Sequence, residues 1–460
     1  MKDWKDKRVL IIGAARQGLA LARYLVAEGA AVTINDRQSE QALADAIQSL
    51  AGIPVKWVTG EHPLSLLDDC DAIGVSGGVP LDMPILQEAL RRGIPLTNDT
   101  QVFLQRVAAP VIGITGSAGK TTTTTLVGRM AGAQVEFPQR SWVGGNIGNP
   151  LISVVKEIHP LDVVVMEISS FQLEQMSISP KIAAVLNITP NHLDRHGTMQ
   201  AYTDAKARIL KFQDHNNIAI LNRDDPGSWG LAPQVKGRLV SFGMDPAGEA
   251  EGTFIHDDRV MYQVAGRVEE LLPLEQIKLR GGHNRMNVLA ACAIAKAAGF
   301  SRHAIRKGID GFGGVAHRLE LVRELHGVCW YNDSIATAPE RSMAAIRSFT
   351  EPIILLAGGR DKKLPWDEFA RLAHKRVSHI ILFGDAAGII DAALQNASGP
   401  ASQLQTVSRF AKLEDAIQKA ASLAHSGDVV LLSPGCTSYD AFKDFEERGE
   451  VFRKWVQQLS

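Results

Sequence analysis

The run Val111-Ile-Gly-Ile114, followed by Thr115-Gly-Ser-Ala-Gly-Lys-Thr-Thr122 and a helix-forming stretch, leaves this chain few folds to choose from. An unbroken apolar run ending in a glycine-rich turn reads as a strand buried on both faces, and such strands belong to parallel sheets covered by helices. The turn has the parts a triphosphate needs. Glycines let backbone N–H groups approach the oxygens, a helix N-terminus faces the anion, Lys120 reaches the outer phosphates, and the Thr121 hydroxyl can meet Mg²⁺. The common G-x-x-x-x-G-K-[ST] spacing would put glycine at position 114, where Ile114 stands; Gly116 makes this a shortened form. An incidental lysine beside a glycine turn is the alternative, and the strand-loop-helix context argues against it. Gly116, Ser117, Ala118, Gly119, Lys120, Thr121 and Thr122 are therefore expected to hold ATP.

The strand-turn-helix rhythm occurs in three blocks, which suits a chain of 460 residues at roughly 150 per domain. Strands are expected at 8–12, 32–34, 72–75 and 94–96 in the first block. The second holds 111–115, 163–168, 183–188 and 218–221, and ends in a helix over 284–298 stopped by Gly299. The third holds 328–331, 353–356, 379–383 and 429–432. Boundaries are placed near 108 and 316. The fold class is α/β, with three domains each built on a mostly parallel sheet. In such sheets ligands sit beyond the carboxyl ends of the strands. The glycine-rich and polar clusters fall there in every block, as at Gly13, Ser76-Gly77-Gly78, Asn332-Asp333-Ser334, Gly358-Gly359 and Ser433-Pro-Gly435.

In the first block, Gly13-Ala-Ala-Arg-Gln-Gly18 approaches the dinucleotide fingerprint G-x-G-x-x-G, but Ala15 occupies the position whose glycine admits a pyrophosphate. Asp36 ends the next strand, where an acid can bind a ribose hydroxyl. A nucleotide-like ligand other than NAD is the favoured reading. In the second block, Glu167 closes the apolar run 163–166, and a buried charge there calls for a cation. The cluster Asn187-Ile-Thr-Pro-Asn-His-Leu-Asp-Arg-His196 ends another strand. Together with Thr121 these residues suit Mg²⁺ held between phosphates and a second substrate. His192 is read as functional beside them; Asp194 and His196 stay open between ligand and structural roles.

Lys+Arg is 49 against Asp+Glu 50, which argues against nucleic acid as the main partner. Four scattered cysteines with no CxxC pair form neither a disulfide framework nor a zinc site. No apolar run approaches the ~18 residues of a membrane span. The charged start leads straight into a strand, so no signal peptide is expected, and the expected location is the cytoplasm.

Taken in order, these motifs resemble the Mur ligases of peptidoglycan synthesis over essentially the whole chain. The marks are Thr115-Gly-Ser-Ala-Gly-Lys-Thr121, Gly144-Gly-Asn-Ile-Gly148, Glu167-Ile-Ser-Ser-Phe-Gln-Leu-Glu174, the cluster ending at His196, and Tyr202-Thr-Asp-Ala-Lys206. They continue with Gly282-His-Asn-Arg-Met-Asn287, His317-Arg318, Asn332-Asp-Ser334 and the segment from Ser433 to Phe445. Within that family the pattern is nearest to the members that add glutamate to UDP-N-acetylmuramoyl-L-alanine. The resemblance implies a Rossmann-like N-terminal domain for the UDP-sugar, a central P-loop ATPase domain and a Rossmann-like C-terminal domain that closes over both.

It further implies catalytic roles for Lys120, Glu167, His192 and Lys206. Thr121 and Glu167 would hold one Mg²⁺, and His192 with a carbamoylated Lys206 a second. Asn284, Asn287, Arg318 and Asp333 look like the adenosine side. Asp36 and Arg37 match the uridine end, Ser76 and Gly77 lie in the first-domain ligand loop, and Asn146 matches a sugar-peptide contact. Thr337, Lys362, Ser438 and Phe445 match the positions that hold the incoming glutamate, and a monomer is expected. Two departures stand out. Ile335 occupies a position where the family often has lysine, and Ala15-Arg16 with Ser76-Gly77-Gly78 replace the commoner Ser-Pro-Gly. The alternatives are a sister ligase with another acceptor, a nicotinamide oxidoreductase, and a nucleotide-sensing module without turnover. The choice between D- and L-glutamate is open from sequence.

Overall fold

The computed structural model describes residues 3–246, 248–279, 281–399 and 402–460; the side chain of Asp194 also lies outside the described set. It divides into two compact units: the first holds residues up to Ile277 and Gly282–Asp310, the second the short piece between these and the chain from Gly311 onward. The first unit holds two sheets. In the N-terminal sheet, β1 (Arg8–Ile12), β2 (Ala31–Asp36), β3 (Val55–Thr59), β4 (Ala72–Val75) and β5 (Leu96–Thr97) lie in the order β3-β2-β1-β4-β5. All are parallel. The order reverses at β1, so the crevice between the ends of β1 and β4 is the topological switch point.

The second sheet has β6 (Val111–Thr115), β7 (Ser141–Gly145), β8 (Val163–Glu167), β9 (Ile182–Val185), β10 (Ile218–Asn222), β11 (Arg238–Phe242), β12 (Gly252–His256), β13 (Arg259–Val264) and β14 (Arg267–Pro273). Their order is β14-β13-β12-β11-β10-β9-β6-β8-β7. Strand β6 runs between β8 and β9, with Ile114 opposite Glu167 on one side and Ala184 on the other. The phosphate loop therefore leaves a central strand. Gly113 within it is a packing requirement, since a Cβ there would come 2.4 Å from Pro180. The sheet is mostly parallel, as the sequence pattern leads one to expect, and departs from this only where β12, β13 and β14 form an antiparallel meander at one edge. Their half-exposed residues, such as Arg267-Val-Glu-Glu270, lack the apolar run that marks the central strands.

One hydrophobic core joins the first two blocks: Val9, Ile11, Leu21 and Leu25 belong to the same buried cluster as Leu151, Val164, Val185 and Leu210. The second unit carries β15 (Glu320–Leu325), β16 (Val328–Asn332), β17 (Ile353–Gly358), β18 (Val377–Phe383), β19 (Thr406–Phe410) and β20 (Val429–Gly435). These are ordered β15-β16-β20-β17-β18-β19, parallel except for β15. Ile353, Leu355 and Leu431 pack on one face of the sheet, and Ile354, Leu356 and Leu432 on the other. This alternation is the period of two expected of strands covered by helices on both faces. No helix among the described residues is long and apolar enough to cross a membrane.

Candidate active site

The phosphate loop leaves β6 and enters the helix Lys120–Gln134. Gly119, its N-cap, has φ 82°, in the left-handed region that favours glycine. A Cβ there would also come 2.2 Å from Asn287 Oδ1, so any side chain would drive the loop off the helix Gly282–Ala297. Asn287 in turn donates to Asn284 Oδ1 at 3.0 Å. Both asparagines expected on the adenosine side thus stand on the helix that abuts the phosphate loop.

The loop is held from behind by a residue that left its strand. The expected strand 183–188 stops at Val185 because the chain there turns to pair with the loop. Ser117 N–H donates to Asn187 O at 3.0 Å, Ala118 N–H to Asn187 Oδ1 at 2.8 Å, and Asn187 Nδ2 back to Ala118 O at 3.1 Å. The Ser117 hydroxyl donates to Thr189 O and accepts from Tyr202, each at 3.0 Å.

Two lysines converge on the loop. Lys120 Nζ and Lys206 Nζ each donate to Gly116 O at 2.9 Å. Lys206 comes from the helix Met199–Lys211 and is 1% exposed. Burial, with the charge of Lys120, brings its ammonium down to about 7, against the pull of Glu167. An amine so placed is neutral in a large fraction of molecules near neutral pH.

Glu167, 1% exposed, accepts from the Thr121 hydroxyl at 2.9 Å and from Asn146 Nδ2 at 2.8 Å. Asn146 also donates its backbone N–H to Glu167 O at 2.9 Å. A carboxylate and a hydroxyl side by side are hard oxygen donors. Mg²⁺ takes one or two carboxylates and completes its shell with phosphates and water, so this pair fits it. Among the described residues no group of three or more His, Cys, Asp or Glu is arranged to hold a metal by itself. His192 is exposed, with φ 53°, and its ring meets Phe171 edge-on at 5.2 Å. His196 is packed instead, stacked on Phe171 at 5.2 Å with Nε2 3.0 Å from Ser170 Oγ and Nδ1 2.8 Å from Glu174.

In the N-terminal sheet the polar residues cluster at the switch point. Asp36 accepts from the backbone N–H of Ala14 at 2.9 Å and of Gln38 at 3.0 Å, and Ser76 donates to Gly13 O at 2.8 Å. Both side chains hold the loops that border this crevice. Gly77 is half-buried and Arg37 exposed beside them.

In the second unit, Asp333 sits at the end of β16, almost fully buried. It accepts from Ser433 Oγ at 2.9 Å and from Leu319 N–H at 3.2 Å. Burial dominates and pushes its carboxyl up to about 7, with Arg318 and Arg341 acting the other way. Lys362 Nζ lies 3.4 Å from Thr337 Oγ1. Ser438 follows Thr437, which pairs with Arg360 two residues before Lys362. Phe445 starts the last helix, and its carbonyl accepts from Ser334 Oγ at 2.8 Å. Thr337, Lys362 and Ser438 thus lie in the segments that follow the carboxyl ends of the central strands β16, β17 and β20, and Phe445 is tied to Ser334 beside them. What holds them was not visible in the sequence. Arg448, fully buried, donates to Ser334 O, Ser334 Oγ, Cys436 O and Thr437 O at 2.9–3.1 Å.

Asp333 lends itself to a pH test. Its folded pKa lies above the unfolded value, so the stability it contributes is present below about pH 4 and is lost as pH rises through 7. Asp333→Asn should melt progressively higher than the parent between pH 5 and 8. Parallel melting curves across this range would remove the buried carboxylate as the cause.

Three sequence models match: "Mur ligase MurD-like, N-terminal domain" over residues 7–98, "Mur ligase middle domain" over 114–295, and "Mur ligase, glutamate ligase domain" over 317–436. The UDP-N-acetylmuramoylalanine–D-glutamate ligase of Symbiobacterium thermophilum is 43% identical over 99% of both chains. The enzyme of that name from Geobacter metallireducens is 41% identical over 98% of both. Among solved structures, the UDP-N-acetylmuramate-alanine ligase MurC of Thermotoga maritima has a TM-score of 0.57 at 17% identity, covering 98% of this chain and 99% of its own. MurF of Acinetobacter baumannii has a TM-score of 0.57 at 18% identity, covering 98% and 94%. These two share the fold. With full-length relatives near 40% identity and all three domain models in order, the chain belongs to the Mur ligase family, in its MurD-like group.

Proposed function

We propose that this enzyme joins D-glutamate to the alanyl carboxylate of UDP-N-acetylmuramoyl-L-alanine at the expense of ATP. The observation that carries the chemistry is the convergence of Lys120, Lys206, Thr121 and Glu167 on the mouth of one phosphate loop. The full-length relatives named for D-glutamate support the choice of isomer.

A carboxylate is a poor electrophile, so one of its oxygens must first become part of a leaving group. The alanyl carboxylate oxygen bonds to the γ-phosphorus of ATP while the bond to the ADP oxygen breaks. Lys120, freed from Gly116 O, neutralises charge on the transferring group. The glutamate amine then attacks the acyl carbon; the tetrahedral intermediate expels phosphate, and the nitrogen loses a proton. Thr121 and Glu167 would hold one Mg²⁺, and His192 with a carbamoylated Lys206 a second. Bound there, the ions supply Lewis-acid charge to the phosphoryl oxygens. Lys206 suits the modification because a large fraction of its amine is neutral near pH 7, the form that adds CO₂. Asn146 orients Glu167. Lys362, with Thr337 and Ser438, would take a glutamate carboxylate, while Asp36 and Arg37 meet the uridine end and Asn284, Asn287, Arg318 and Asp333 the adenosine. We place the domain boundaries of this working enzyme near residues 108 and 316, and read it as a cytoplasmic monomer.

The test is product mass. The chain is incubated with UDP-N-acetylmuramoyl-L-alanine, ATP and D-glutamate, L-glutamate or another amino acid in turn. D-Glutamate alone should give product and stoichiometric ADP. Product with a different acceptor, or ADP without product, would sink the assignment.

A further inference from the structure

Arg195 stands between the two histidines of the 187–196 loop, and the chemistry above leaves it without a role. Its guanidinium does three things at once. It donates through Nη1 to Gly78 O at 3.2 Å and through Nη2 to Val79 O. Its centre lies 4.9 Å over the Phe171 ring, in the segment that opens with Glu167. Its charge also acts on Glu174 of that segment. Phe171 is the same ring that meets His192 and His196.

Three pieces of chain thus meet on one planar cation. The first is its own loop, the second the segment carrying Glu167, and the third the 76–79 turn beyond β4. That turn forms one wall of the N-terminal switch point, where Ser76 already binds Gly13 O. On the opposite wall, Arg16 reaches Asn146 O at the long distance of 3.5 Å, and Asn146 holds Glu167. Arg195 is therefore a firmer strut than Arg16 between the switch point and the phosphoryl-transfer residues. A guanidinium can fork two carbonyls while its face stays on an aromatic ring; an ammonium can do only one of these at a time.

We infer that Arg195 is a positioning residue that fixes the 76–79 turn against the His192 loop, so that seating the nucleotide-sugar sets the register of the residues that transfer phosphate. This rests on the proposed reaction. It predicts that the acceptor and the chemistry share this contact, whereas glutamate, placed by the second unit's residues, does not.

The experiment compares parent, Arg195→Ala and Arg195→Lys in steady-state kinetics with each substrate varied, alongside thermal melting. Arg195→Ala should raise KM for UDP-N-acetylmuramoyl-L-alanine and lower kcat, each about tenfold, the worth of one charge-assisted pair of hydrogen bonds. KM for glutamate should stay within about twofold and the melting midpoint near the parent's, because no apolar core is lost. Arg195→Lys should fall between the two, recovering one carbonyl contact. Kinetics of Arg195→Ala within about twofold of the parent's for every substrate would overturn the inference at the level of a surface contact. So would a uniform loss in all parameters that follows a lowered melting midpoint, the mark of a merely structural side chain. A parent that makes no product with these substrates overturns the reaction itself, a result distinct from an active parent matched by its variant.

Discussion

Replacing Lys120 by alanine is expected to cut ADP release and product formation by at least about a thousandfold, the scale of losing a preorganised charge on a transferring phosphoryl group. The fold should survive. Lys120 Nζ donates to the carbonyls of Gly116 and Ser117, at 2.9 and 3.4 Å, and both belong to a loop that Asn187 clamps independently. Melting of the variant should stay close to the parent's, so the loss reads as chemistry. A coupled assay for ADP decides it: a rate within tenfold of the parent's would mean that the γ-phosphate does not lie against this lysine.

The second large effect belongs to Lys206, and it runs in opposite directions for activity and stability. Lys206→Met keeps the buried stem and removes the amine. On the proposed reading, a chain without this amine cannot form the carbamate that would hold a metal, and kcat should fall about a thousandfold. Stability should rise under one condition. The folded-state pKa of about 7 lies below the ordinary lysine value of 10.5, so well below pH 7 the parent carries the full cost of a buried ammonium. Between pH 7 and 10.5 the unfolded chain binds more protons than the folded one, and the parent gains stability as pH rises. In CO₂-free buffer the methionine variant should therefore melt above the parent at pH 6, with the gap narrowing by pH 9. A gap that does not change with pH would mean the Lys206 amine is not desolvated as described. Bicarbonate adds a check: raising it should stimulate the parent and leave the variant silent.

Much of the fold was legible because its central strands are uninterrupted apolar runs. Val163-Val-Val-Met and Ile353-Ile-Leu-Leu can only be covered on both faces, and each ends where glycine or a polar residue marks the ligand edge. The strands β11, β12 and β13 were also missed although they lie inside their sheet; the other missed strands share a physical trait. β3, β7, β14, β15 and β19 are sheet edges with exposed or alternating residues, and their pairing depends on a neighbour already in place. Strand ends were displaced for the same kind of reason. Residues 186–188 continue the apolar pattern of β9, but Asn187 forms its hydrogen bonds with the phosphate loop instead of a strand.

The sequence by itself determined the kind of chemistry, because glycine, lysine, threonine and glutamate at fixed offsets from strand ends are what a phosphate and its metal require. It could not determine burial or distance between residues far apart in the chain. Lys206 became a near-neutral amine only when its helix laid it over Gly116, ninety residues away. Arg448, one charge among several in the helix Phe445–Gln458, became a fully buried clamp for the loops around Ser334 and Thr437. Arg195 acquired a role only when the N-terminal block brought two backbone carbonyls to it. Local pattern reports which groups a segment can offer. Desolvation and close approach arise from packing between segments, and only the tertiary structure decides them.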